Sequence, residues 1–97
     1  MSAKTETKTV CVDIRINTID ELKNLVAHAA RLKSSSEIHG GRYIIDARSI
    51  MGVLSLNLSE PVSLIIYSVD DDETDEFLTD IGDLIVAREE NKEIETT

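Results

Sequence analysis

Few side chains in this 97-residue chain have the type and spacing to do chemistry. Cys11, His28 and His39 are the groups that could ligate a transition metal or titrate near neutral pH. They lie far apart and lack the short paired spacings of a zinc or thiolate site, so no metal and no cofactor is expected. His28 falls on the polar side of a helical stretch near Asn24 and Arg31, where a solvated ring is expected, and His39 beside Gly40-Gly41 reads as a turn residue. The run Asp70-Asp71-Asp72-Glu73 has the residue types of a calcium loop but neither its alternating ligands nor its glycine. Ahead of a helix those acids complement the dipole, with Asp72 the expected cap. Ser49 precedes a short apolar segment. There a hydroxyl serves as an N-cap worth about 1 kcal/mol, and the same place suits the added charge of a phosphoserine. Asp20 would need a metal, supporting acids and a phosphodonor to become an acyl phosphate, and the sequence arranges none of them.

The elements that must position these residues follow from periodicity. Val10, Val12, Ile14 and Ile16 alternate with Cys11, Asp13, Arg15 and Asn17, which is a strand with one buried face. Ile19, Leu22, Leu25, Val26, Ala29 and Leu32 then form a stripe at helical spacing. Thr18 with Glu21 three residues on is a capping box, and Ser34-Ser35-Ser36 predicts the helix end near Lys33. A short strand at Glu37 to His39, a Gly40-Gly41 turn and a strand from Tyr43 to Ala47 come next. A short helix is expected over Ile50 to Leu56, closed by Asn57, Ser59, Glu60 and Pro61. Val62 to Val69 is apolar on both faces, as an interior strand would be. Phe77, Leu78, Ile81, Leu84 and Ile85 predict a last helix. The order is β-α-β-β-α-β-α, an α+β two-layer sandwich with a four-stranded antiparallel sheet covered on one face by three helices. Residues 1–9 read as a flexible leader, 10–88 as a single domain and 89–97 as a frayed charged tail.

Composition narrows the function. Ten Lys and Arg against 19 Asp and Glu leave a formal charge of −9, the wrong sign for a phosphate footprint or an anionic membrane surface. Hydrophobic residues at 41% support a folded core, and no apolar run approaches the ~18 residues of a spanning helix. A lone cysteine and the absence of a secretory h-region point to the cytoplasm. Direct nucleic-acid binding and membrane insertion are not expected.

The stretch Asp46-Ala47-Arg48-Ser49-Ile50-Met51-Gly52-Val53-Leu54-Ser55-Leu56 resembles the regulatory-serine segment of HPr, the small phosphocarrier family of the bacterial phosphotransferase system. In that family a Lys or Arg precedes a serine, and Ile-Met-Gly-Val-Met-Ser-Leu follows as a short helix. The element order over residues 10–88 is also similar to the open-faced β-sandwich of HPr. The resemblance breaks at the motif Gly-x-His-Ala-Arg-Pro, whose histidine accepts a phosphoryl group from Enzyme I. Its glycine becomes Thr18, its histidine Asp20, its alanine Glu21, its arginine Leu22 and its proline Lys23. A shift of one residue puts Ile19 at the histidine instead, and neither register restores an imidazole. A helix N-terminus that binds phosphate needs free N–H groups. Here Thr18 and Glu21 are expected to occupy them, and Asp20 and Glu21 add negative charge.

The resemblance implies a non-enzymatic, HPr-like regulatory or adaptor protein, similar to the Crh-like branch that lacks the histidine. Some of Ile50, Met51, Val53 and Leu54 must fill core, with Val53 and Leu54 the candidates, yet a helix this short cannot hide them all. In HPr this segment docks Enzyme I and, once the serine is phosphorylated, catabolite control protein A. By that resemblance Arg48, Ile50, Met51 and Leu54 form the expected partner-binding set. Ser49 is then the expected regulatory phosphorylation site, with HPr kinase and a transcriptional regulator or phosphotransferase-system protein as partners and catabolite repression as the setting. The alternative is a phosphocarrier using an atypical acceptor.

Overall fold

The computed structural model describes residues 8–89. In chain order the elements are β1 (Lys8–Ile14), α1 (Ile19–Arg31), β2 (Ser35–Gly40), β3 (Tyr43–Asp46), α2 (Ile50–Leu54), β4 (Val62–Ser68), α3 (Asp71–Asp80), a 3-10 turn (Gly82–Leu84) and β5 (Ile85–Glu89). The strands form one antiparallel sheet in the order β3-β2-β4-β1-β5. The class is α+β with three α-helices, but the sheet has five strands and not the expected four. The expected 10–88 body extends at both ends, since β1 starts at Lys8 and β5 runs to Glu89. The remaining leader, 1–7, and tail, 90–97, lie outside the described residues.

The extra strand comes from the segment expected to end the last helix. Ile81, Leu84 and Ile85 have helical spacing, but Gly82 interrupts the helix at its last turn. Ile81 caps α3, Leu84 closes the 3-10 turn, and Ile85 pairs with Ile14 across the free edge of β1. The N–H of Arg15 donates to the Leu84 carbonyl at 2.9 Å, fastening the turn to the strand. α3 begins earlier than expected, with Asp70 and not Asp72 as its cap. Thr74 is buried alongside Phe77 and Leu78, so the inward stripe includes a polar residue that the apolar pattern hides.

One face of the sheet carries the core. Val12, Ile14, Ile38, Leu64 and Ile66 project onto Leu22, Leu25, Val26 and Ala29 of α1, Val53 of α2, and Phe77, Leu78 and Ile81. β4 lies third of five, and its other face is closed by neighbours in register, with Cys11 and Glu37 flanking Ile65. The end of α1 is tied to the start of α3: the Glu73 carboxylate accepts from the Lys33 N–H at 2.7 Å and from the Ser34 hydroxyl at 3.3 Å. Val69 N–H in turn donates to Ser34 Oγ at 3.0 Å, which fixes where β4 leaves the sheet.

α2 sits against β3 through Gly52. A β-carbon there would lie 2.6 Å from Cγ2 of Ile45 and 2.9 Å from Oγ of Ser49. Ile45 Cγ2 branches at the strand's own β-carbon and cannot swing away, so the helix needs a glycine to approach this closely. Gly52→Ala should therefore cost roughly 1–3 kcal/mol by overpacking. Chemical denaturation should show that loss, and Ile45→Ala in the same chain should shrink it. An unchanged midpoint for Gly52→Ala would mean that α2 is not seated as described.

Candidate functional site

The start of α1 is the position where the HPr-like resemblance calls for a phosphate acceptor, and its capping box occupies part of its donors. Thr18 Oγ1 accepts from the Glu21 N–H at 3.1 Å. Glu21 Oε1 accepts from the N–H of Asn17 at 2.7 Å and of Thr18 at 3.2 Å. The predicted capping box is thus complete, with one extra bond to Asn17. Asp20 is exposed in the same acidic first turn. Two of the four first N–H groups of the helix, those of Thr18 and Glu21, face carboxylate and hydroxyl oxygens of this chain, and the turn carries the charges of Asp20 and Glu21.

Ser49 and its neighbours sit at the other end of the sheet's covered face. Ser49 is half-buried and caps α2, with Oγ accepting from the Gly52 N–H at 3.1 Å. The helix spans Ile50–Leu54, shorter than expected, because the Ser55 hydroxyl bonds the Gly52 carbonyl at 2.6 Å and stops it. Val53 alone of the helix is buried. Ile50, Met51 and Leu54 are 39%, 77% and 41% exposed, so Leu54 belongs to the surface and not the core. On the neighbouring strand β3, Tyr43 and Ile44 are 66% and 62% exposed, and Ile44 projects from the uncovered face, since Ile45 faces α2. Sequence reasoning missed those two, because exposure at β3 follows from its place at the sheet edge, which no local pattern encodes.

Arg48 grips Asp46 in a fork: Nε donates to Oδ1 at 3.0 Å and an Nη to Oδ2 at 2.8 Å, while the Arg48 N–H also meets Oδ1 at 2.9 Å. These bonds hold the Asp46 carboxyl down at about 2 and raise the guanidinium. Arg48 is therefore a strand-to-helix clasp as well as a surface cation. On the uncovered face, Glu37 accepts from the Tyr67 hydroxyl at 3.0 Å and lies 2.9 Å from His39 Nε2. The His39 contact, then the Tyr67 bond, lowers the Glu37 carboxyl, and the Glu37 bond raises the Tyr67 phenol. His39 is accordingly a strand residue of β2 and not a turn residue; the loop is Gly41-Arg42, with Gly41 at φ +60°.

His28 is also not simply solvated. Its Nδ1 lies 2.8 Å from the Asn24 carbonyl and its Nε2 3.6 Å from Asp80, in a groove between α1 and α3. Cys11 lies on the uncovered sheet face beside Ile65, away from the residues around Ser49. Among the described residues no group of three or more His, Cys, Asp or Glu is placed to hold a metal ion, and no helix is long and apolar enough to cross a membrane. Comparison with family models, with curated proteins and with solved structures found no match to this chain.

The Asp46–Arg48 clasp gives a titration with a definite sign. The folded carboxyl lies below its ordinary value of 3.8, so its contribution to stability is full above that value and fades as pH falls toward about 2. A carbon-detected NMR titration should place the Asp46 midpoint near 2, and Arg48→Ala should return it to the ordinary carboxylate range. Equal midpoints in the two proteins would dissolve the clasp.

Proposed function

We propose that this chain is a non-enzymatic HPr-like regulatory or adaptor protein that binds a protein partner through α2 and can be switched by phosphorylation of Ser49. The observation that carries the reading is the contrast between its two helix starts. At α1 a capping box of Thr18 and Glu21 engages part of the first-turn donors, and Asp20 and Glu21 put negative charge where a transferable phosphoryl group would sit. At α2 the outward side chains Ile50, Met51 and Leu54 form an apolar surface next to the cation Arg48. Methionine at the exposed centre suits a surface that must adapt to a partner. Ser49 opens a helix whose first turn holds no acid, so an added phosphate there meets no neighbouring carboxylate within that turn. The expected partners are those of the resemblance: Enzyme I, catabolite control protein A and HPr kinase. Repression at a promoter would follow from binding a regulator protein, with no contact to DNA by this acidic chain.

Two measurements divide adaptor from carrier. Incubation with phosphoenolpyruvate and Enzyme I should leave the chain unlabelled on native gels, whereas a transferable phosphoryl group on residues 17–23 would establish the atypical carrier instead. Calorimetric titration of purified Enzyme I, catabolite control protein A and HPr kinase should find binding to at least one. Met51→Asp should weaken it by about tenfold or more, the effect of losing a buried interface anchor. HPr kinase and ATP should label the wild type and not Ser49→Ala. Binding unaffected by Met51→Asp would remove α2 from the interface.

A further inference from the structure

We infer that the β3 edge is a self-recognition surface, joining two copies of this chain into a dimer whose sheets run on through an antiparallel β3–β3 pair. The inference goes beyond partner binding at α2 and stands whether or not α2 recruits another protein. β3 ends the sheet on one side, and its ladder to β2 uses one row of its backbone groups. The Ala47 N–H donates to the Ser36 carbonyl at 3.1 Å, so the odd-numbered residues of the strand face β2. By alternation the backbone groups of Ile44 and Asp46 point outward, away from the sheet. Edge strands are ordinarily blunted by charge, proline or a bulge. β5, at the opposite edge, carries Arg88 and pairs with β1 through an irregular register. β3 has a regular register and presents Tyr-Ile-Ile-Asp, with Tyr43 and Ile44 both more than half exposed and its one charge, Asp46, held in the fork of Arg48.

The charge pattern selects one occupant and one register. The whole chain carries −9, yet residues 40–48 hold two arginines, Arg42 and Arg48, against the single acid Asp46. The segment thus carries both signs within a strand's length, so two copies can set opposite charges against each other along it, as the acidic remainder of the surface cannot. Centred on Ile44, an antiparallel pair sets Ile44 against Ile44 of the second copy, Tyr43 against its Ile45, and Arg42 against its Asp46, twice over by symmetry. The outward backbone of Ile44 then meets its counterpart as a hydrogen-bonded pair. Sliding the register by one two-residue step toward the C-terminus would set Arg42 against the other Arg48, like charge against like. The two-fold axis is perpendicular to the sheet, so both α2 helices lie on the same face of the joined sheet.

Sedimentation of the full chain from micromolar to millimolar concentration should show a reversible monomer–dimer equilibrium. Ile44→Lys, which places like charges at the centre of the seam, should abolish the dimer, and Arg42→Asp should do the same. Combining Arg42→Asp with Asp46→Arg should restore it, with amide spectra confirming that each variant is folded. A wild type that is monomeric throughout, or a dimer indifferent to Ile44→Lys, as pairing through β5 would be, overturns the inference. A double charge reversal that stays monomeric overturns the register.

Discussion

A helix laid on a sheet must begin somewhere, and its first turn leaves backbone N–H groups without partners inside the helix. In this protein each of the three α-helices closes its own start. Thr18 and Glu21 close α1, Ser49 closes α2, and Asp70 closes α3 by accepting from the N–H of Asp72 at 3.0 Å and of Glu73 at 3.2 Å. The caps set the residue at which each connection turns into a helix, and so they set which side chains reach the core. In α1 the stripe from Leu22 to Ala29 falls inward from the Thr18 cap. In α3 the Asp70 cap, two residues earlier than Asp72, puts Thr74, Phe77 and Leu78 on one buried face.

The same economy shapes what the surface can do. Acids in the first turns of α1 and α3 satisfy the helix dipoles internally and contribute to the negative charge of the molecule. α2 is different, being too short to have a hidden side for every apolar residue and too close to β3 to move away. Gly52 brings it onto Ile45, Val53 goes inside, and Ile50, Met51 and Leu54 are left facing water. Five of the eight large exposed apolar side chains among the described residues belong to β3 and α2, the others being Ile19, Val69 and Val86.

Much of this was legible from local pattern. The alternation in β1, the two apolar faces of β4 and the capping box of α1 are contacts between residues close in sequence or repeats of fixed period, and such features survive without knowledge of the fold. β5 was not legible, because Leu84 and Ile85 continue a helical spacing from Ile81, and only the open edge of β1 starts a strand at Ile85. His39 looked like a turn residue beside two glycines; the two-residue loop at Gly41-Arg42 moves it into β2 against Glu37. His28 acquired Asp80 as a neighbour only when α3 packed on α1. Leu54 could not be divided between core and surface while the length of α2 was open, and Tyr43 and Ile44 became candidates only once β3 proved to be an edge.

At the start of α1 the N–H groups of Thr18 and Glu21 are held by this chain's own oxygens, and the carboxylates of Asp20 and Glu21 set negative charge in the same turn, which disfavours phosphate there. Titrating inorganic phosphate into the labelled protein while following the amide resonances of Asn17, Thr18 and Glu21 tests it without any enzyme or partner. No saturable change is expected at these three positions beyond the general effect of ionic strength. A saturable shift at Asn17 or Glu21, matched by loss of the Thr18–Glu21 bonds, would contradict it.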